Sequence, residues 1–456
     1  MAGPRAGSSR CLSSLSVTIA LDWAVFCRAI AASPLPPEVE ARARVCLADY
    51  LHAAMHGARS ETGEMVRRYV GPDASRAELA ALHLGAVAAV HEIDDVHQDT
   101  SLHPGSVVVA AALAAARGAE ASGALVLAAI AAGYEIAVRL SIAAGDRHYQ
   151  YFHATATCGT VGAAAAAAIV LELSEQATAH AIGIAATSAS GLWEGINEEA
   201  VRVKHLHSGM AAERGVRAAL LAQLGLRAAD RSIEGDKGFL AALAQAGPHV
   251  PHETASAGEL RVVLTDGLGH RWAILRNIFK RYPFCLGCFE PLEGIRHLLL
   301  ANDPGDVAQV VVEASPSVAW MVGLPDPQDE FQAKFSAQFA LALVLAGHDV
   351  ERAPLPAALL ADATVRQWML RVRVEANAGF GRRRARVTAT RNDGTSTSTE
   401  QPFRNLDDAE AWARFARACD RYLLARGPTL ANAVEDCARL ATTRDLIALV
   451  DEAISG

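Results

Sequence analysis

The stretch from His148 to Leu171, HYQYFHATATCGTVGAAAAAAIVL, contains no Asp, Glu, Lys or Arg, and could be a membrane span or a helix buried in protein. As a membrane span it falls short: its first half carries His148, Gln150, His153 and two threonines, and its second half is alanine rather than leucine. A span needs ~20 strongly apolar residues. The stretch therefore predicts a helix buried in protein, with small side chains that let neighbouring backbones approach. The same pattern recurs in the charge-free segments 100–116 and 121–134. No membrane association is expected.

Working outward, residues 18–245 carry Ala, Leu and Val at three-and-four spacing, the period of a helix with one buried face. Breaks fall at Pro34–Pro37, Gly57, Gly71–Pro72, Gly118 and Gly145, so several helices should form one compact all-α layer. Composition shifts around GPHVPHE (247–253), and β-type segments follow: VVVEA at 310–314 and LRVRVEA at 370–376. In RARVTATRNDGTSTSTEQPF (384–403), Asn392-Asp393-Gly394 offers a positive-φ turn between two alternating strands. Helix returns at 407–425 behind the caps Asn405 and Asp407, continues at 430–441 and ends at 444–454. The most economical layout is a mainly α fold: a large all-α helical domain (1–268), an inserted smaller α+β lid domain (269–403), and C-terminal helices (404–456) returning to the helical domain.

At 456 residues the chain is long enough for two such units. Its net charge of −8 has no long like-charge block, and no stripe of Lys and Arg interleaves with aromatics, so no nucleic-acid partner is expected. The eight cysteines are scattered, which fits a reducing, cytoplasmic setting better than a disulfide-stapled secreted domain. Arg5 and Arg10 precede the apolar CLSSLSVTIAL in the manner of a leader. That run is rich in Ser and Thr, stops at Asp22, and resumes as an amphipathic helix through Trp23, Phe26 and Ile30, so no leader is expected. A glycine-rich phosphate loop is not seen.

Titratable groups concentrate in HEIDDVHQDTSLHPG (91–105), with four acids and three histidines in fifteen residues. His91-Glu92 begins like a zinc-binding helix, but position 95 is aspartate where the second histidine should stand. A mixed Asp/His centre is the metal reading that remains; no metal is expected. Most of these acids read as a solvated loop capping the next helix. His103 stands apart, because Pro104 and Gly105 fix a tight turn into a helix from Ser106 onward. A histidine at a helix start lies near positive N–H groups, which depress its pKa and favour the neutral, base-competent ring. His153 sits in the same context before ATATCGTVGAAAAAA; alone it would read as a hydrogen-bonded structural histidine, but the pair points to chemistry.

The chain has 38 arginines and four lysines: Lys204, Lys237, Lys280 and Lys334. A lysine here marks a place where a compact, titratable amine is wanted, against the plain alternative of an exposed side chain. Lys204 opens a helix whose Gly209, Ala212, Gly215 and Ala219 form a small, closely packed face. Lys280 lies in FKRYPFCLGCFEP, an irregular loop. Cys285 and Cys288 form a lone C-x-x-C, better read as packing or pocket-lining thiols than as a redox or zinc pair.

These segments, in this order, resemble the MmgE/PrpD family, which includes 2-methylcitrate dehydratase, cis-aconitate decarboxylase and iminodisuccinate epimerase. The family's D-x-D-D…H-P block corresponds to Glu92-Ile93-Asp94-Asp95 through His103-Pro104, and its F-H-x-T…G block to Phe152-His153 through Gly159. Its K-x-L-H-x-G helix corresponds to Lys204 through Gly209, including His207, and its K-x-Y-P loop to Lys280-Arg281-Tyr282-Pro283. The resemblance implies a helical domain built from both chain ends, an α+β lid, a homodimer, a pocket between the domains, and action on small carboxylic acids without a required cofactor. It implies His103 as the principal proton-transfer residue, with His153 and Lys204 beside it and Asp94 orienting the base. Asp95, Lys280, Tyr282, Cys285, Glu92 and His207 would bind substrate.

Departures from the pattern accompany the match. Glu92 replaces the usual aspartate, Val96 a threonine, and Cys285 and Phe289 stand where members carry histidines; Trp320 and Met321 stand where decarboxylases have tyrosine. They argue against itaconate-forming chemistry and for a substrate with fewer carboxylates or an apolar appendage. The leading expectation is a cofactor-independent lyase of dehydratase type. Epimerisation or isomerisation comes second and decarboxylation third, since all three share carbanion-like intermediates. A non-catalytic dimeric homologue is the reading from another class; it would have a pocket closed by Phe289, Trp320 and Met321, with His103 facing no open volume.

Overall fold

The computed structural model describes residues 18–194, 202–244, 257–300, 303–381 and 383–455. Helices α1 (Ile19–Ala31), α2 (Pro37–Gly57), α3 (Glu61–Val70), α4 (Ala77–Ala88), α5 (Gly105–Ala116), α6 (Gly123–Tyr149), α7 (Ala154–Val170), α8 (Glu175–Ser188) and α9 (Val203–Gln223) build the first part. Trp23, Phe26 and Ile30 of α1 are buried as the amphipathic reading requires. Residues 1–17, on which the leader question turns, and the shift at GPHVPHE lie outside the described residues.

Residues 154–170 of the opening stretch become α7, every residue of which is buried among α5, α6, α8 and α9, whereas His148 and Tyr149 end α6 and 150–153 are not helical. Small residues set the spacing. A Cβ on Gly162 would lie 2.5 Å from the Gly133 carbonyl oxygen of α6, and one on Gly215 of α9 would lie 2.4 Å from the Ala163 Cβ. At the α4–α9 crossing, a Cβ on Gly209 would meet the Leu82 carbonyl oxygen at 2.3 Å. These contacts leave no room for a methyl group, so the glycines are where the helix axes come closest. Gly145 has φ 74° and breaks α6 near its end, as the sequence indicates. Among the described helices α6 alone is long and apolar enough to cross a membrane, and 89% of its most apolar window is buried inside the protein. Its Glu135 and Arg139 pair at 2.6 Å.

Six strands follow the helical reading less closely. Strands β1 (Val96–His97) and β2 (Asn277–Ile278) pair antiparallel, tying the His91–Gly105 loop to the chain that leads into the second part. That part carries a four-stranded sheet of order β4-β3-β5-β6, from β3 (Val307–Ala314), β4 (Val372–Ala376), β5 (Ala385–Arg391) and β6 (Ser396–Thr399). Strands β3 and β4 run parallel, and the other neighbours antiparallel. The β5–β6 hairpin turns where Asn392-Asp393-Gly394 indicated: Gly394 has φ 85°, and Arg391 N donates to Thr395 O at 2.8 Å. Beyond α10 (Ala257–Thr265), helices α11 (Phe289–Leu299) and α14 (Ala337–Leu345) cover the sheet, with the short α12 (Pro316–Val322), α13 (Glu330–Ala333) and α15 (Ala363–Met369) between the strands, and the hydrophobic interior they form is distinct from that of the first part.

After the sheet, α16 (Asp408–Leu423), α17 (Gly427–Glu435) and α18 (Arg444–Ile454) return to α2, and their apolar residues join the interior of the first part. The cap of α16 is Asp407, which forms a capping box with Glu410; Asn405 lies outside the helix and caps nothing, a correction to the sequence reading. The fold is mainly α with a smaller β-containing part.

Candidate active site

The loop before α5 is shaped by two residues with left-handed backbone, Glu92 (φ 54°) and Ser101 (φ 57°), and by Asp95. Asp95 accepts hydrogen bonds from Gly105 N (2.8 Å), Tyr134 Oη (2.6 Å) and Asn277 Nδ2. It thereby caps α5 from outside the helix, satisfying a donor that Pro104 cannot serve. Gly105 is required, since a Cβ there would meet Asp95 Oδ1 at 2.6 Å. Burial, and then the nearby Asp49 charge, push the Asp95 carboxyl up to about 8.

With α5 fixed, His103 is held between α5 and α7, its N–H donating to Thr155 Oγ1 at 3.0 Å. Its Nδ1 lies 3.1 Å from Asp94 Oδ2, a close polar contact that is poorly aligned for an N–H···O bond. Burial lowers the His103 pKa below its ordinary value; Asp94 opposes this and Lys280 adds to it. The neutral ring anticipated from the sequence is therefore favoured, but by desolvation rather than by the helix N-terminus. Asp94 on one side leaves Nε2 as the nitrogen available to a ligand.

His153 precedes α7, with its N–H held by Gly191 O at 3.0 Å. Its ring centre is 6.2 Å from that of His103 and 4.4 Å from that of Trp193. His153 Nδ1 lies 3.1 Å from His207 Nδ1. Two facing Nδ1 atoms can bond only if one carries a hydrogen and the other does not, so the rings hold complementary tautomers. Burial, with Lys204 adding to it, lowers both pKa values, that of His207 to about 4.

Glu92 joins the two lysines. Its Oε1 meets Lys204 Nζ and its Oε2 meets Lys280 Nζ at 2.9 Å. Burial would raise the Glu92 pKa, but Lys204 and Lys280 outweigh it and hold the carboxylate well below its ordinary range. Lys204 also faces the Phe335 ring, 5.3 Å from its centre. Three of the four lysines are buried: Lys334, passed over in the sequence, donates to Val90 O at 3.0 Å, and burial pushes its amine down to about 8.

A cavity of about 370 Å³ brings these groups together between the two parts of the chain. Glu92, His103, His153, Lys204 and Cys285 line it. Three further expected residues stand directly behind the lining: Asp94 behind His103, His207 behind His153, and Lys280, fully buried, behind Glu92. Two expectations are corrected. Asp95 faces the α5 cap rather than the cavity, and Tyr282 turns its hydroxyl to Glu293 (2.6 Å) and Arg296 (3.1 Å) within the second part. Phe289 packs on Tyr282 and Phe403 and does not close the cavity; Trp320 and Met321 do line it, and His103 faces open volume.

The sequence reading missed Trp193, Tyr149, Gln150 and Phe335 in the lining. Tyr149 and Gln150 sit in the opening stretch beside His153, so proximity was a usable signal. Trp193 and Phe335 carry no local pattern and reach the cavity only through tertiary packing.

Comparison with known proteins gives the family. Residues 22–250 match the model of the MmgE/PrpD N-terminal domain and residues 282–416 that of the MmgE/PrpD C-terminal domain. Cis-aconitate decarboxylase of Homo sapiens is 31% identical over 275 residues, covering 57% of this chain and 54% of the relative. A cis-aconitate decarboxylase of Aspergillus terreus is 30% identical over 291 residues, covering 59% and 58%. The chain thus spans little more than half the length of these curated relatives. Every sequence block named above lies inside the two domain matches apart from Lys280 and Arg281, which fall between them, and the chain belongs to the MmgE/PrpD family.

Proposed function

We propose that the chain is a lyase acting on a small carboxylic acid by proton transfer at the carbon next to a carboxylate, with loss of water as its leading reaction. One observation carries this reading: two buried imidazoles, each backed by its own partner, line one cavity together with the Lys204 ammonium. His103 Nε2 takes the proton from the carbon beside the carboxylate. The electron pair spreads into that carboxylate, where Lys204 stabilises the developing charge. The pair then expels the β-hydroxyl, which takes up the proton now on His103 and leaves as water, while the neutral His153, held by His207, orients the hydroxyl oxygen. His103 is thereby neutral again, and no cofactor enters the steps.

Charge and lining narrow the substrate. Lys204 and Lys280 face the carboxylate of Glu92, with that of Asp94 close by, so the site holds no surplus of positive charge for a polycarboxylate. Asp146 and Arg383 add one charge of each sign to the lining, and Leu286, Val318 and Met321 supply an apolar wall. This supports a monocarboxylate at the reacting end with an apolar appendage, held under residues 269–403 acting as a lid. The family's homodimer is part of the same proposal.

Decarboxylation is the second reading, favoured by the names of the relatives. In it, protonated His103 delivers a proton to the carbon that loses carbon dioxide. Incubating hydroxy and unsaturated acids with the protein in deuterated water, with mass spectrometry of products and His103→Ala as control, separates the outcomes. A new alkene and water support dehydration; carbon dioxide supports decarboxylation; deuterium uptake without other mass change supports epimerisation. No turnover of any carboxylic acid would overturn the proposal.

A further inference from the structure

A second cavity, of about 540 Å³, lies where α16 and α2 meet the loop around Glu351. Arg414, Arg417 and Arg421 are spaced along one face of α16 and line it together with Arg281 and Arg352. Asp349, Glu351 and Glu410 are the acids in the same lining, so arginine exceeds carboxylate by two in a chain whose net charge is −8. Arg281 is committed to Glu351 and Glu410, and Arg414 to Asp49. Among the described residues, Arg352, Arg417 and Arg421 have no carboxylate partner. Arg417 and Arg421 are four residues apart on a helix, a spacing at which like charges repel.

An ordinary solvated basic face would not explain what lies beneath it. His52 lines the cavity, is 3% exposed, and its Nδ1 has no hydrogen-bond partner. The side chain of Arg281 is 9% exposed, and its Nε is likewise without a partner. Buried polar atoms are normally satisfied, and exceptions call for a ligand or a function. Guanidinium groups converging from two elements match the geometry of carboxylate and phosphate oxygens.

We infer that this cleft is a second binding site, separate from the catalytic cavity, for a small multivalent oxyanion. Arg417 and Arg421 hold it from the helical side and Arg352 from the side of the sheet-bearing part, so the bound anion bridges the two. The site stands independently of the proposed reaction.

Isothermal titration of the full chain with inorganic phosphate and, separately, with citrate tests the site, using sodium chloride at matched ionic strength as the control. Saturable binding of either anion that weakens at least tenfold in the double variant Arg417→Ala/Arg421→Ala, and also in Arg352→Ala, supports it. Which anion binds tells phosphate from carboxylate ligands. Circular dichroism confirms folding, and the two variants approach the cleft from different elements, so a folding defect in one does not remove the test. Binding unchanged in both variants, an equal response to chloride, or no binding of either anion at millimolar concentration would overturn the inference.

Discussion

The two walls of the candidate active-site cavity differ in kind. The wall built on the helical part carries His103, His153, Lys204 and Glu92, each beside a buried partner, in one helix and in loop segments seated on helices whose backbones touch at glycine. The facing wall presents Leu286, Gly287, Val318 and Met321, with Cys285 toward the lysines and Ser315, Ser317 and Arg383 as its other polar members. Under the proposed function, the contrast would put reactivity where packing leaves no freedom and substrate choice on the part carrying the sheet. Preorganised groups on rigid elements are what proton transfer requires, whereas an apolar wall can be altered without touching the chemistry.

The sharpest way to break this comparison is at the base. Replacing His103 with alanine should lower turnover about 10²–10⁴-fold while the melting temperature stays close to that of the parent. Asp94→Asn should lower turnover in the same direction by less. Equal activity in His103→Ala would erase the distinction between the walls.

Next in size is Glu92→Gln, which leaves two ammonium groups without their shared carboxylate. Breaking a buried pair costs about 3–5 kcal/mol, to be read as a lowered denaturation midpoint. Asp95→Ala should cost about 1–3 kcal/mol through the orphaned Gly105 and Tyr134 donors, yet leave the turnover per folded molecule nearly unchanged. A large catalytic loss in that variant would return Asp95 to the site. On the opposite wall, Met321→Ala should raise KM for a substrate with an apolar appendage about tenfold, with kcat little altered.

Smallest per group, but summed over many, is the response to acid. Burial holds His56, His83, His97, His148 and His207 at about 4 and His91 at about 3. The unfolded chain therefore binds more protons than the folded one between about pH 4 and the ordinary histidine value near 6.5. Stability is fully present above that range and falls as pH drops through it, by up to about 1.4 kcal/mol per pH unit for each ring. Asp49, raised to about 6, and Asp95, raised to about 8, act in the opposite sense but are fewer. Denaturant midpoints measured from pH 7 to pH 4 should decline; a flat or rising profile would contradict the buried neutral histidines.

Much of the fold was legible because it rests on local signals: helical spacing, the Asn-Asp-Gly turn, and alanine and glycine where helices meet. The scarcity of lysine pointed to Lys204 and Lys280 for a sound physical reason, since both are buried and paired. Asp94 and Asp95 were indistinguishable in sequence, being adjacent and identical. Only packing separates them, one carboxylate turning to His103 and the other to the first turn of α5. Tyr282 was likewise beyond local reading, because its partners, Glu293 and Arg296, come from the following helix. Trp193 reaches His153 through a backbone pairing with Tyr151 that no spacing announces.

The most direct test is hydrogen exchange at the carbon beside the carboxylate, followed by proton NMR in deuterated water on a substrate or product that the parent protein turns over. Exchange should be rapid with the parent and with Asp95→Ala, and should fall by at least a hundredfold with His103→Ala. Exchange at the parental rate without the imidazole of residue 103 would contradict the assignment of the base.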